Sequence, residues 1–140
     1  VAPPEKKRIT ERARGERLAA IAARVHTLAR VLEGEGYSVL LAESGTEALA
    51  LLERHAERVG LVLTDVAMAG ISGRELGRRL AEIRPGLPVL FMSGYPADEA
   101  VRNGLLLEHQ PFIQKPFVPA ALAEAVRSLL DRAPGKRAQE

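Results

Sequence analysis

From Tyr37 onward the chain alternates short, almost wholly apolar runs with amphipathic stretches at one steady pitch, and few architectures absorb such a pattern. Tyr37-Ser-Val-Leu-Leu-Ala42, Leu61-Val-Leu-Thr64, Val89-Leu-Phe-Met92 and Phe112-Ile-Gln114 are too short for helices. They read as strands, and the near-continuous apolarity of Leu61-Val-Leu-Thr64 is that of a strand covered on both faces. Ser44-Gly-Thr-Glu47 and Ser72-Gly-Arg-Glu75 each have the form of a capping box that opens a helix. Ala48, Leu49 and Leu52 follow the first at helical spacing, and Leu76, Leu80 and Ile83 follow the second. Pro85-Gly-Leu-Pro88 ends the second helix, since proline lacks an amide donor. A weaker helix is expected over Ala97–Leu107. A final one starts at Pro119, with a stripe of Leu122, Ala125, Val126, Leu129 and Leu130. Strand and helix in this alternation predict βαβ units, hence an α/β fold with a doubly wound parallel sheet. In such sheets, sites form beyond the carboxyl ends of the strands.

Composition narrows the function classes. With 46% apolar and 27% charged residues the chain is ordinary for a globular domain. No apolar run approaches the roughly 20 residues of a bilayer span, so no membrane association is expected. Cysteine is absent, which excludes disulfides and thiolate metal sites and fits a cytoplasmic location. The net charge of +2 is unevenly spread: residues 1–24 hold seven Lys/Arg against three Asp/Glu, a net of +4, leaving −2 elsewhere. The basic character therefore belongs to the leading arm, and with 4% aromatics nucleic-acid binding is not expected. Residues 1–14 are read as a basic arm, 15–132 as the folded domain and 133–140 as a polar tail. The first residue is Val rather than Met, so the sequence is read as a piece of a longer protein.

Three of the strands end in Asp65, Ser93 and Lys115, spaced 28 and 22 residues apart, about one βα repeat each. Taken singly, such residues are most often a turn aspartate, a structural serine and a solvated lysine. Parallel strands, however, deliver all three to one edge, and together they suit phosphoryl transfer. A carboxylate can take a phosphoryl group as an acyl phosphate. A lysine ammonium and a serine hydroxyl can then serve its oxygens, as can backbone amides in Val66-Ala-Met-Ala-Gly70.

Leu63-Thr-Asp-Val-Ala-Met-Ala-Gly70, Phe91-Met-Ser-Gly-Tyr95 and Gln114-Lys-Pro-Phe117 resemble the three signature segments of response-regulator receiver domains. Arg84–Tyr95 and Pro111–Phe117 are similar in particular to receivers at the C-terminus of bacterial hybrid sensor histidine kinases. The resemblance runs from about Thr27 to Arg132. It implies a five-stranded, flavodoxin-like receiver fold and a phosphorelay role, with Asp65 accepting a phosphoryl group from a histidine kinase or phosphotransfer domain. It further implies that Ser93 and Lys115 bind the phosphate, that Lys115-Pro116 is cis, and that Phe112 is the switch aromatic. Ala67 and Tyr95 fall where the family tunes phosphate lifetime. Mg²⁺ would be held by Asp65, the backbone carbonyl of Ala67 and an acidic pair. We expect a signalling module rather than an enzyme; a dimer and the downstream partner are left open.

Two departures stand out. Ala69 replaces the family's usual proline. More importantly, the acidic pair is missing: the family's spacing, counted back from Gly36-Tyr37, lands on Ala19 and Ala20. Around them Leu18, Ile21, Ala22, Val25, Leu28, Ala29 and Leu32 repeat at helical spacing, which predicts one long helix in place of the usual first strand. Losing about 4 kcal/mol of metal stabilisation would slow phosphorylation roughly a thousandfold. Three readings follow: a degenerate pseudo-receiver acting as a phosphorylation-independent interaction module, a first strand supplied by a partner or by swapping, or an abnormal reading of the gene over this segment.

Overall fold

Strand β3, Val59–Asp65, is the longest strand and is buried along six of its seven residues. The structure, a computed structural model, describes residues 18–22, 26–55, 58–66, 70–104, 106–107 and 110–132. The expected arm at 1–14 and tail at 133–140 lie outside the described residues. In chain order the elements are β1 (Leu18–Ala22), α1 (His26–Gly34), β2 (Val39–Ala42), α2 (Gly45–His55), β3, α3 (Gly73–Ile83), β4 (Val89–Ser93), α4 (Ala97–Arg102), β5 (Phe112–Gln114) and α5 (Pro119–Asp131). The five strands form one sheet in the order β2-β1-β3-β4-β5, and every pairing is parallel.

This corrects the expected leading helix. Leu18–Ala22 is a strand at an interior position, with Ala19 to Ala22 paired to Val39 to Ala42 and Ala20 and Ile21 paired to Val62 and Leu63. The chain itself supplies this strand. The helical period holds over His26–Gly34, burying Ala29 and Leu32. Leu-Ala-Ala-Ile-Ala suits either a helix or a buried strand. Tertiary demand decides, because a gap between β2 and β3 would strand the backbone groups of both. The helix expected over Ala97–Leu107 is also shorter, ending at Arg102, after which Gly104 takes a positive φ of 75°.

Alternation along the strands builds a core on each face. Leu61, Leu63, Leu90 and Met92 point to one face, where Ala29, Leu32 and Tyr37 meet Leu122, Val126 and Leu130 of α5. Val62 points to the other, packed with Leu52 of α2 and Leu76 and Leu80 of α3. Full burial of one such leucine is worth about 1.5–3 kcal/mol. The Arg127 guanidinium lies 5.6 Å from the centre of the buried Tyr37 ring, a cation–π contact that ties α5 to the start of β2. A smaller cluster of Val66, Phe91, Ala100 and Leu106 seats α4.

Ser44 and Ser72 cap as the sequence indicates: each Oγ accepts from the amide three residues on, Glu47 and Glu75, at 3.1 Å. Glu47 reaches back to the amide of Glu43. Glu75 instead faces outward, where hydrogen bonds from Arg78 and Arg79 hold its carboxyl down to about 2.

Helix α3 approaches the sheet through two glycines one turn apart. A methyl on Gly77 would sit 3.0 Å from the Phe91 ring. A methyl on Gly73 would come within 2.7 Å of the Val66 Cα and 2.8 Å of the Asp65 carbonyl oxygen. Backbone cannot step aside as a flexible side chain can. Alanine would gain about 1 kcal/mol of helix propensity at Gly73, yet the clash should outweigh it. We expect Gly73→Ala to lower stability by about 1–3 kcal/mol net, read as a lower urea midpoint at unchanged slope; a midpoint at or above that of the natural chain would show that β3 yields.

Candidate phosphoryl-acceptor site

The parallel sheet brings the three singled-out residues to one rim. Asp65 is the last residue of β3, Ser93 the last of β4, and Lys115 the first beyond β5. Neighbouring registers pair Asp65 with Met92 and Ser93 with Gln114. The Lys115 amide donates to the Ser93 carbonyl at 2.7 Å, which extends the ladder by one rung and anchors the lysine backbone. Lys115-Pro116 is cis, as expected. From that anchor the lysine crosses the end of β4, and Nζ donates to Oδ1 of Asp65 at 2.8 Å. The carboxylate is 23% exposed and the lysine side chain 45%. A pair this open contributes at most about 1 kcal/mol to stability; its value lies in placing a cation on the carboxylate.

Ser93 is buried to 3% exposure. Its Oγ accepts from the Tyr95 amide at 2.9 Å, which leaves its O–H proton to donate to a ligand oxygen. Its bond thus runs to the following loop and not to Asp65. Tyr95 itself is 55% exposed. On the other side of Asp65, the Val66 amide donates to the Met92 carbonyl, and the Val66 carbonyl accepts from Gly73 at 2.8 Å. Asp65 is therefore held through the backbone of Val66, the residue that follows it. Ala67 and Ala69 lie outside the described residues; Gly70, next in sequence, has a φ of 93°, which a side chain would resist.

Phe112 opens β5 and packs, half-buried, against the cluster that contains Val66, Phe91, Ala100 and Leu106. That cluster includes Val66, the residue after Asp65.

Among the described residues, Asp65 finds no further carboxylate with which to hold a divalent cation. Ala19 and Ala20 sit inside β1, not at its end, which corrects their expected height: Ala20 pairs with Val62, three rungs below Asp65. Neither that strand nor the sequence up to Val25 contains an Asp or Glu. Among the described residues, no group of three or more His, Cys, Asp and Glu side chains is placed to hold a metal ion.

Sequence reasoning missed Gly73, Gly77 and Gln110. The glycines carried a signal, two small residues four apart in a helix otherwise suited to larger ones. Gln110 accepts from the Leu107 amide at 2.7 Å, and its Nε2 would lie 3.6 Å from a methyl on Gly77; a glutamine in a polar stretch offered no such signal.

Comparison with known proteins agrees with this geometry. The sensor kinase CckA of Brucella abortus (strain 2308) is 36% identical over 103 residues, which are 74% of this chain but 11% of that protein. The chain thus spans a small part of that relative. The crystal structure of the receiver domain of the hybrid histidine kinase CckA superposes with a TM-score of 0.67 at 31% identity, covering 80% of this chain and 97% of that one. A receiver domain protein from Methanospirillum hungatei JF-1 reaches a TM-score of 0.74 at 26% identity, covering 89% and 99%. With the sequence model of the response regulator receiver domain matching residues 22–127, the chain belongs to that family, the receiver domains of two-component signalling systems.

Proposed function

We infer that the chain is a phosphorelay module in which Asp65 accepts a phosphoryl group from a phosphohistidine of a histidine kinase or phosphotransfer domain, in the cytoplasm, and that it is not itself a catalyst of turnover. The observation that carries this reading is the 2.8 Å contact of the Lys115 ammonium with the Asp65 carboxylate, made across the strand that ends in Ser93. A carboxylate oxygen of Asp65 attacks phosphorus, the P–N bond to the imidazole breaks, and the imidazole keeps the electron pair and takes up a proton. Charge spreads over the equatorial oxygens in such a step. Lys115 offsets part of it, and the Ser93 hydroxyl is positioned on the same rim to donate to another oxygen. Phosphorylation would pull on the clamp at Val66, and the shared packing of Val66 with Phe112, Ala100 and Leu106 offers a route from the acceptor to α4 and β5.

A second reading, a degenerate receiver that binds its partner without phosphate, is favoured by one observation, the lack of any carboxylate in β1. Acetyl phosphate or phosphoramidate with intact-mass spectrometry separates the two. We expect a labile single-phosphate adduct that Asp65→Asn abolishes; no adduct on the natural chain, with partner binding indifferent to Asp65→Asn, would establish the second reading instead. Lys115→Ala should slow adduct formation by about ten- to a hundredfold while moving the urea midpoint by less than about 1 kcal/mol equivalent. Equal rates for that variant and the natural chain would remove Lys115 from the chemistry.

A further inference from the structure

We propose that the acceptor pocket of this chain works without a divalent cation, and that the place on β1 from which a carboxylate could support one is its last residue, Ala22, not Ala19-Ala20. Mg²⁺ demands near-octahedral oxygen ligands and is ordinarily held by one or two carboxylates besides phosphate and water. Here one oxygen of Asp65 already accepts from the Lys115 ammonium, and no second carboxylate enters from β1. A hydrated dication would have to share that single carboxylate with a cation at hydrogen-bond distance.

Charge shows why the pocket tolerates this. A pair of carboxylates and a dication cancel, so losing both leaves the formal charge around Asp65 as it was. Losing only one kind would not. The cation and its ligands are therefore expected to go together, with Lys115 left as the counter-charge.

The register supplies the position. Ile21 pairs with Leu63, so Ala22, where β1 ends, stands one rung below Asp65. A carboxylate at Ala20 would lie three residues lower, about 10 Å along the strand, within the sheet rather than at its rim. The test therefore substitutes Ala22 together with the residue that follows it in sequence, Ala23.

The test is an NMR titration with Mg²⁺, and with Mn²⁺ for its paramagnetic broadening, following the amides of Asp65, Ser93 and Lys115. The natural chain should show no saturable site. The A22D/A23D variant should gain one at Asp65, about tenfold tighter or more, and A19D/A20D should gain none. Saturable broadening at Asp65 in the natural chain, or its appearance in A19D/A20D, would overturn the proposal. Should A22D/A23D fail to fold, the natural chain still decides, through its titration and through the rate of phosphoramidate labelling with Mg²⁺ against EDTA. Rates within about twofold support the proposal, and acceleration by Mg²⁺ of about tenfold or more refutes it. Only the labelling arm rests on Asp65 being the acceptor: adduct formed solely with Mg²⁺ overturns the cation claim and keeps the acceptor, whereas no adduct under either condition removes the acceptor and leaves the titration to judge the cation.

Discussion

Five strands running the same way impose the constraint from which the rest follows. Parallel strands end at a common edge, and crossover helices must cover both faces to return the chain. Asp65, Ser93 and Lys115 are far apart in sequence, yet each ends or follows a strand of this sheet. Their meeting needs no special fold of its own. The Lys115 amide on the Ser93 carbonyl and the Val66 amide on the Met92 carbonyl are two more rungs of the same ladders, carried past the last paired residues. The site is the sheet continued by one residue on each strand.

That continuity explains why the site tolerates little movement from behind. Helix α3 begins directly under the acceptor, with Gly73 against the backbone of Asp65 and Val66, and its Ser72 cap fixes where the helix starts. Phe91, which receives Gly77, belongs to the same cluster as Val66 and seats α4 beside Phe112. One packed unit thus contains the residue after the acceptor, the helix below it and the aromatic beside it. A discrete rearrangement of that unit is the physical means by which a charge added at Asp65 could reach an outer face.

The pattern of apolar runs made β2, β3, β4 and β5 legible because each is bounded by turn residues and is too short to be a helix. The first strand was not legible, for a physical reason. Leu18–Ala22 is built of residues that do not discriminate, and its apolar spacing continues smoothly into a true helix at Leu28, Ala29 and Leu32. Its state is set by neighbours more than 15 residues away, whose edges it satisfies. The same is true of Gly73, whose need to be glycine lies in the backbone of β3 and not in its own helix. Asp65, Ser93 and Lys115 could be read because strand ends are visible in sequence. That Ser93 turns its oxygen to Tyr95 could not, since such a bond depends on loop geometry alone.

The misplaced height of the acidic positions follows from this ambiguity. Spacing counted back through a helix assumes that the helix keeps its family length, and here α1 starts only at His26. The strand registers carry no such assumption, because each rung is fixed by two hydrogen-bonded neighbours. Ala19 is paired on both sides, to Val39 and to Leu61, so a carboxylate there would enter the middle of the sheet. A buried, unpaired carboxylate is expensive; the rim, where water and Lys115 are at hand, is not so restrictive. Among the described residues of β1, the last is the one nearest the height of Asp65, and in this chain it is Ala22.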